Sequence, residues 1–519
     1  MNRDHAVSQI KDCAAFDLVI IGGGASGLGA AVDAASRGHM VLLVEQSDFA
    51  KGTSSRSTKL VHGGVRYLKQ GNVSLVLEAL RERGLLVQNA PHLVHSLPFV
   101  IPNYHWWEGP FYGIGMKVYD GLAGKLGLEP SRYLNREDVI ALLPNIEQEG
   151  LNGGIIYHDG QFDDSRLAIN LAQTAVEKGA VLVNYMRCCG LLKDGPHVSG
   201  VRLRDEESGH EMQVQAKVVI NATGVFADAV RQMDDASAKP MLSPSQGIHF
   251  VLPREFLPGD TAIMIPKTDD GRVLFAVPWH GRVIIGTTDT LVEHASVEPR
   301  ALPDEIEFLM THAARYLTRD PRPSDVLSVF AGLRPLVAAK NAESTAALSR
   351  DHTILVADSG LITITGGKWT TYRRMAEDVI DHAEMIGGIG VKRCVTHDLM
   401  IHGSAMVLDR NDPLAVYGSD AAEIRDLMSA EPALAEKIHP KLDLTAAEVV
   451  FHTRHEMART VGDVLARRSR SLLFDAQASI SAAPRVAEIM ARELRWDAAT
   501  SAHQVERYQK LACGYILED

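Results

Sequence analysis

The stretch DLVIIGGGASGLGAAVDAASRGHMVLLVEQ, residues 17–46, decides the fold. Leu18 to Ile21 is an unbroken apolar run with β-branched residues, which suits a strand buried on both faces. Ala25 to Arg37 is alanine-rich and free of proline, a helix composition, and Gly38 is a natural stop for it. Val41 to Val44 is a second buried strand, with Glu45 at its end. Between the first strand and the helix lies Gly22-Gly23-Gly24-x-x-Gly27. Alone, such a pattern says little. Inside a complete strand–turn–helix–strand unit that ends in an acidic residue, it predicts a dinucleotide site. Gly22 permits the tight turn, Gly24 lets the main chain approach a pyrophosphate, and Gly27 lets helix and strand pack closely. The helix N-terminus offers N–H groups and a positive dipole end to phosphates, and Glu45 can accept hydrogen bonds from a ribose.

The rest of the chain sets bounds on that reading. It has 519 residues, enough for two to four domains, with 46% hydrophobic and 23% charged residues. Lys and Arg number 53 against 65 Asp and Glu, a net charge of −12, so no nucleic-acid partner is expected. An anionic substrate would need a local cluster of cations. The five cysteines, Cys13, Cys188, Cys189, Cys394 and Cys513, form no C-x-x-C pair, which argues against a disulfide framework and for a reducing compartment. No metal site is expected. Met1 to Phe16 is polar and lacks a signal-peptide core. The longest apolar stretch, from Leu18, ends at Asp33, too short for a bilayer. The chain is expected to be soluble, or to rest on a membrane without crossing it.

Two later segments repeat the strand-then-glycine pattern. KVVINATGV (217–225) puts Gly224 after a strand, and LITITGGKWTTY (361–372) puts Gly366 and Gly367 between a strand and a helix. Between them, residues 272–290 read as an antiparallel hairpin turning at Trp279 to Arg282, with Ile248–Val251 and Thr261–Ile265 as its neighbours. After about residue 400 the strand signals fade. Met457, Val461, Val464 and Leu465 have helical spacing, as do Val486, Ile489, Met490 and Leu494. The expected class is α/β plus antiparallel β. A Rossmann-like domain (14–80, 150–238 and 350–398) is interrupted by a substrate or cap domain (81–149 and 239–349), and a helical domain (400–519) follows.

A single fingerprint favours FAD over NAD. Gly387-Gly388-Ile389-Gly390 follows a helical stretch and is discounted as a second one. N–H groups at Gly367 and Lys368, at a helix start, would stabilise negative charge on a reduced flavin. Gly367-Lys368 is no P-loop, because Trp369 stands where Ser or Thr is needed.

TSSRSTKLVHGGVRYLK (53–69), NATG (221–224), PWHGRVIIGTTD (278–289), AGLRPLV (331–337), SRDHTIL (349–355) and GGKWTTYRR (366–374) together resemble the FAD-dependent, aerobic, bacterial-type glycerol-3-phosphate dehydrogenases. The resemblance runs from about residue 16 to the C-terminus and includes HEMARTVGDVLARRSRS (455–471). It implies oxidation of sn-glycerol 3-phosphate to dihydroxyacetone phosphate, with hydride passing from C2 to FAD and electrons onward to ubiquinone or menaquinone. It also implies a homodimer at the cytoplasmic face of the inner membrane.

By the same resemblance, Arg66, Tyr67 and Arg350 bind the phosphate, since a guanidinium fork takes two oxygens at once. Arg334 and Lys368 orient the substrate oxygens. His249 is the preferred acceptor of the hydroxyl proton, because histidine changes charge near neutral pH and arginine does not. The resemblance assigns Gly22, Gly23, Gly24, Gly27, Glu45, Thr53, Ser54, Ser55, His62, Gly63, Gly64, Gly224, Gly332, Gly366, Gly367 and Thr370 to the cofactor. The alternatives are an oxidase delivering electrons to O2, another FAD enzyme acting on a 2-hydroxy acid or amine, and a non-catalytic flavin redox sensor.

Other patterns fail. His455-Glu456-x-x-Arg459 lacks the second histidine of a zinc-protease helix. Asp409-x-Asn411 runs into Pro413, without an EF-hand glycine, unlike calcium-regulated mitochondrial relatives. Residues 104–128 are aromatic and carry Trp106-Trp107, with Phe111, Ile114, Val118 and Leu122 on one helical face. Such a face suits either a bilayer interface or a core helix over the flavin domain.

Overall fold

The structure, a computed structural model, describes residues 1–64, 72–105, 108–266, 268, 272–337, 351–406 and 409–517. The stretch 17–46 folds as its pattern dictates. Strand Phe16–Ile21 runs into helix Ala25–Ser36, which returns to strand Val41–Val44, parallel to the first. Leu18, Val19 and Ile20 are fully buried, as an apolar run without alternation requires.

These strands are the centre of an eight-stranded sheet. Its parallel core runs Val181–Val183, Val41–Val44, Phe16–Ile21, Glu211–Asn221 and Ile362–Gly366, and His352–Val356 closes one edge antiparallel. A meander, Met186–Asp194 and His197–Asp205, extends from the near half of Glu211–Asn221. Helix Ala25–Ser36 packs between Asp164–Glu177 and Tyr372–Gly387 on this sheet. The last of these helices ends at Gly388 in a left-handed conformation, so the late glycine cluster is a helix stop and not a second fingerprint.

The second sheet has ten strands and is mostly antiparallel. The expected hairpin is Leu274–Trp279 and Arg282–Gly286, turning through His280 and Gly281 at φ +44° and +69°. Leu242–Pro253 and Ala262–Ile265 flank it on either side. Leu242–Pro253 also pairs along its length with Ser328–Val337, which sets Gly247 opposite Gly332 and His249 opposite Phe330. Strands Leu60–Val61 and Gly153–Phe162 belong to this sheet.

Beyond residue 400 the chain is helical, built around Ala446–His455, Ala476–Leu494 and Ala498–Cys513. One expected helix differs. Met457 takes φ +55° after the first of these helices, and Asp463–Arg468 forms a π-helical turn. Polar geometry outweighs the apolar spacing there. Asp463 accepts the N–H groups of Arg459 and Thr460, and the wider turn lets the consecutive residues Arg467 and Arg468 both reach Asp48. Arg166 makes a bidentate pair with Glu456, at 2.7 and 2.6 Å, and ties this layer to the first sheet.

Candidate active site

A cavity of about 840 Å³ lies between the carboxyl ends of the parallel strands and the inner face of the second sheet. Open parallel sheets bind ligands at that edge. At one end Gly22, Gly24, Glu45, Met186 and Cys188 line it. Gly224, Gly366, Gly367 and His62 line the middle, and His249, Arg334, Phe99 and Tyr157 the far end.

Sterics explain the glycines. At Gly22, φ is +112°, and a Cβ there would lie 2.6 Å from the Ala222 carbonyl oxygen. A Cβ at Gly27 would lie 1.9 Å from the Gly22 oxygen, so helix and strand could not close. The Glu45 carboxylate accepts from Gly23 N at 2.7 Å and Ser47 N at 2.9 Å, and burial pushes its pKa up. It therefore braces the glycine turn, and each oxygen keeps a second lone pair for a ribose. The Ser54 hydroxyl accepts from Ala25 N at 2.9 Å. Thr53 donates to the Leu333 carbonyl at 2.6 Å, and the Thr370 hydroxyl meets the His62 main chain. Gly23, Gly27, Ser55 and Gly63 stand behind the cavity wall. A Cβ on Gly63 would strike Leu80 and Tyr119, so that glycine admits a helix rather than a cofactor.

The long cavity, its bare main chain at two glycine turns and the helix N-terminus at Gly24 fit an FAD molecule. Gly22, Gly24 and Glu45 would hold the adenosine and pyrophosphate end. The turn at Gly366 to Lys368, which opens the helical turn Trp369–Thr371, would meet the flavin.

At the substrate end, Leu242–Pro253 carries His249 and Ser328–Val337 carries Arg334. Arg334 donates to Asp289 at 3.3 Å, to the Thr287 hydroxyl at 3.1 Å and to the Thr288 carbonyl at 3.0 Å. Gly247 makes room for it, since a Cβ there would lie 2.4 Å from Nη2. His249 is 3% exposed, and its ring stacks on Phe330 at 4.8 Å. Burial, then Arg334 and Lys59, push its pKa well below the ordinary value. This corrects the reasoning that favoured it: His249 does not titrate near neutrality but is held neutral far below it. Lys368 lines the same cavity. Arg66, Tyr67, Arg350 and the Trp106-Trp107 pair lie outside the described residues.

Sequence reasoning assigned no role to Thr58, Lys59 or Asp164. Lys59 is fully buried, and its Nζ reaches both oxygens of Asp164 at 2.7 Å. Lys51 and Arg56, also on the cavity wall, share Glu298, whose pKa they lower to about 2 against the effect of burial. Glu377, Cys394 and His397 come close enough to hold a metal, but Arg373 and Arg374 already engage Glu377.

Fold and cavity define a two-sheet FAD-dependent oxidoreductase. The family described as FAD dependent oxidoreductase matches residues 17–373, and the C-terminal domain of alpha-glycerophosphate oxidase matches 366–501. The mitochondrial glycerol-3-phosphate dehydrogenase of Arabidopsis thaliana is 40% identical over 95% of this chain and 85% of its own length. The human mitochondrial enzyme of that name is 38% identical over 98% and 75%. A glycerol-3-phosphate dehydrogenase from Bacillus halodurans, solved with FAD, superposes with a TM-score of 0.81 at 28% identity, covering 99% of this chain and 97% of that one. The chain belongs to the FAD-dependent glycerol-3-phosphate dehydrogenase family.

Proposed function

We propose that this chain oxidises sn-glycerol 3-phosphate to dihydroxyacetone phosphate and passes the electrons to a membrane quinone. The observation that carries the reading is one continuous cavity, with a dinucleotide cradle at one end and Arg334, Lys368 and His249 at the other. When bound, FAD supplies the acceptor for the hydride from C2. Arg334 and Lys368 orient the substrate oxygens and stabilise the developing alkoxide. Arg66, Tyr67 and Arg350 hold the phosphate, and His249 takes the hydroxyl proton. Burial is the main cause that keeps His249 neutral, and Arg334 and Lys59 add to it; a dianion bound in the same cavity offsets the part due to their charge, so a phosphate ester strengthens the base. Plain glycerol lacks that effect.

No described helix is long and apolar enough to cross a membrane. Helix Glu108–Ala123 buries Met116 and Tyr119 against the second sheet and leaves Phe111, Ile114 and Val118 half or more exposed. That face supports peripheral contact with lipid; the placement at the cytoplasmic side of the inner membrane and the homodimer rest on the family resemblance. The division into Rossmann-like, cap and helical domains belongs to the same reading, with Leu60–Val61 and Gly153–Phe162 pairing in the second sheet, on the cap side of the boundaries read from the sequence.

Anaerobic addition of glycerol 3-phosphate to the yellow protein tests the reaction. The flavin absorbance bleaches, glycerol leaves it unchanged, and a quinone analogue restores it. Colour that persists with glycerol 3-phosphate overturns the proposal. Stoichiometric peroxide in air without added quinone would mark the oxidase instead.

A further inference from the structure

We infer that the Thr58 hydroxyl, and not the imidazole itself, meets the substrate hydroxyl and relays its proton to His249 Nε2. The inference rests on the reading of His249 as proton acceptor and adds the group through which the proton reaches it.

His249 is closed off on several sides. Phe330 covers one ring face, stacked at 14°. Gly286 lies against the Cδ2 edge, where even an added Cβ would come within 2.2 Å. Nδ1 is buried and has no hydrogen-bond partner among the described residues. Nε2 ends on Thr58 Oγ1, 2.9 Å away. Both line the cavity, but Thr58 is the more open member of the pair: it is half-buried, whereas His249 is 3% exposed. With Nε2 engaged by Thr58 and the ring almost wholly covered, the less buried Thr58 is the side chain open to a substrate hydroxyl.

Thr58 is also held unusually firmly for a loop residue. Both of its chain neighbours bind one buried carboxylate. Ser57 donates to Asp164 Oδ2 from its main-chain N at 3.1 Å and from its hydroxyl at 2.7 Å. Lys59 Nζ reaches both Asp164 oxygens and donates to the Ser55 carbonyl at 2.8 Å. Lys59 takes φ +64°, a left-handed conformation that is strained for a residue with a Cβ. The buried ion pair maintains it. This clamp fixes the direction of the Thr58 side chain toward His249 before substrate arrives.

The relay balances. The O–H bond of the substrate breaks as a new one forms on Thr58 Oγ1, and the original Thr58 proton moves to Nε2. The C2–H bonding pair leaves as hydride, as in the reaction proposed above. Thr58 ends as it began, a neutral hydroxyl, while the substrate becomes a ketone and His249 an imidazolium. The relay requires the Nδ1–H tautomer, in which the Nε2 lone pair accepts from Thr58.

The test is the rate of flavin reduction in the holoenzyme, mixed anaerobically with glycerol 3-phosphate. Thr58→Val keeps the shape and removes the hydroxyl, and it is expected to lower the rate by about 10²–10⁴-fold with FAD content retained. Thr58→Ser restores it to within about tenfold. In mixtures of H2O and D2O the unmodified enzyme gives a bowed proton inventory, because two protons move together. A straight inventory, or a Thr58→Val enzyme near full rate beside an inactive His249→Ala enzyme, overturns the relay and leaves His249 as the direct acceptor. His249→Ala at near full rate overturns the underlying reading as well. The inventory needs no variant, so a misfolded Thr58→Val protein does not remove the test.

Discussion

Asp48 and Arg468, 420 positions apart in the chain, share two hydrogen bonds of 2.5 and 2.9 Å in a fully buried pair. Asp48 lies three residues beyond Glu45, so the C-terminal helical layer holds the loop that forms one wall of the dinucleotide site. Burial would raise the Asp48 carboxyl, but Arg468 and Arg467 outweigh it and hold it far below its usual range.

Removing Arg468 leaves the buried Asp48 with Arg467 as its one described cationic partner, so the loss approaches but does not exceed the about 3–5 kcal/mol of a fully uncompensated buried charge. Arg468→Met is therefore expected to lower the thermal midpoint by several degrees and to loosen FAD, which then separates from the protein on gel filtration. An unchanged midpoint with full flavin retention would show that the helical layer does not brace the site.

Two glycines give contrasting predictions. At Gly286 an added Cβ lies 2.2 Å from His249 Cδ2, and the ring cannot retreat because Phe330 is stacked behind it. Gly286→Ala should displace the imidazole and lower kcat by about 10²-fold, the usual scale for a catalytic group misplaced by 1 Å. At Gly247 the same methyl meets the Arg334 guanidinium and the Thr287 hydroxyl that holds it, so it disturbs the substrate-orienting arginine and leaves the His249 ring in place. Gly247→Ala should mainly raise the KM for glycerol 3-phosphate. Steady-state kinetics on FAD-replete protein separates the two.

How much of this was legible depends on the range over which each signal acts. The unit at 17–46 carries its own strand, turn and helix grammar within 30 residues, so it reads directly from the sequence. The hairpin around His280-Gly281 does too. Arg334 and His249 were recognisable only through whole motifs, because a lone arginine or histidine has no local signature of catalysis. The clamp between Lys59 and Asp164, and the meeting of Asp48 with Arg467 and Arg468, had no signal at all. Such pairs exist only once distant segments are packed. Apolar spacing predicts an ordinary helix where Asp463–Arg468 forms a π-helical turn, because it does not reveal a buried carboxylate that meets two successive arginines.

Acid should destabilise the fold in two stages. Burial lowers His92 and His95 to about 4, and His452 to about 3, from a model-peptide value of 6.5. The folded chain then binds fewer protons than the unfolded one, so their contribution is intact above pH 6.5 and drains as pH falls toward 4. Glu298 and Glu456, held at about 2 by arginine and lysine partners despite burial, add a second loss below pH 4.5. His402 acts in the opposite sense: burial lowers its pKa, but Asp420 and Glu177 outweigh that and raise it. Thermal melts from pH 8 to pH 4 should therefore show a midpoint that starts to fall near 6.5. A midpoint constant down to pH 4.5 would mean that these histidines are solvated.

The exposed face of helix Glu108–Ala123 gives the last prediction. Phe111, Ile114 and Val118 are 50%, 71% and 50% exposed at spacings of three and four, and Tyr133, 62% exposed, stands beside Gly109. Single exposed apolar residues are ordinary, but four together on one side of a helix make a patch. Burying one such side chain in an apolar phase is worth about 1.5–3 kcal/mol. Ile114→Glu removes that gain and adds a charge, so binding to anionic lipid vesicles should weaken at least tenfold in a sedimentation assay. Ile114 lies outside the cavity lining, so reduction of a soluble dye by glycerol 3-phosphate should continue at the unmodified rate. Reduction of a quinone dissolved in the vesicles should fall in step with binding. If the variant still sediments with vesicles as well as the original protein, the lipid-facing surface lies elsewhere.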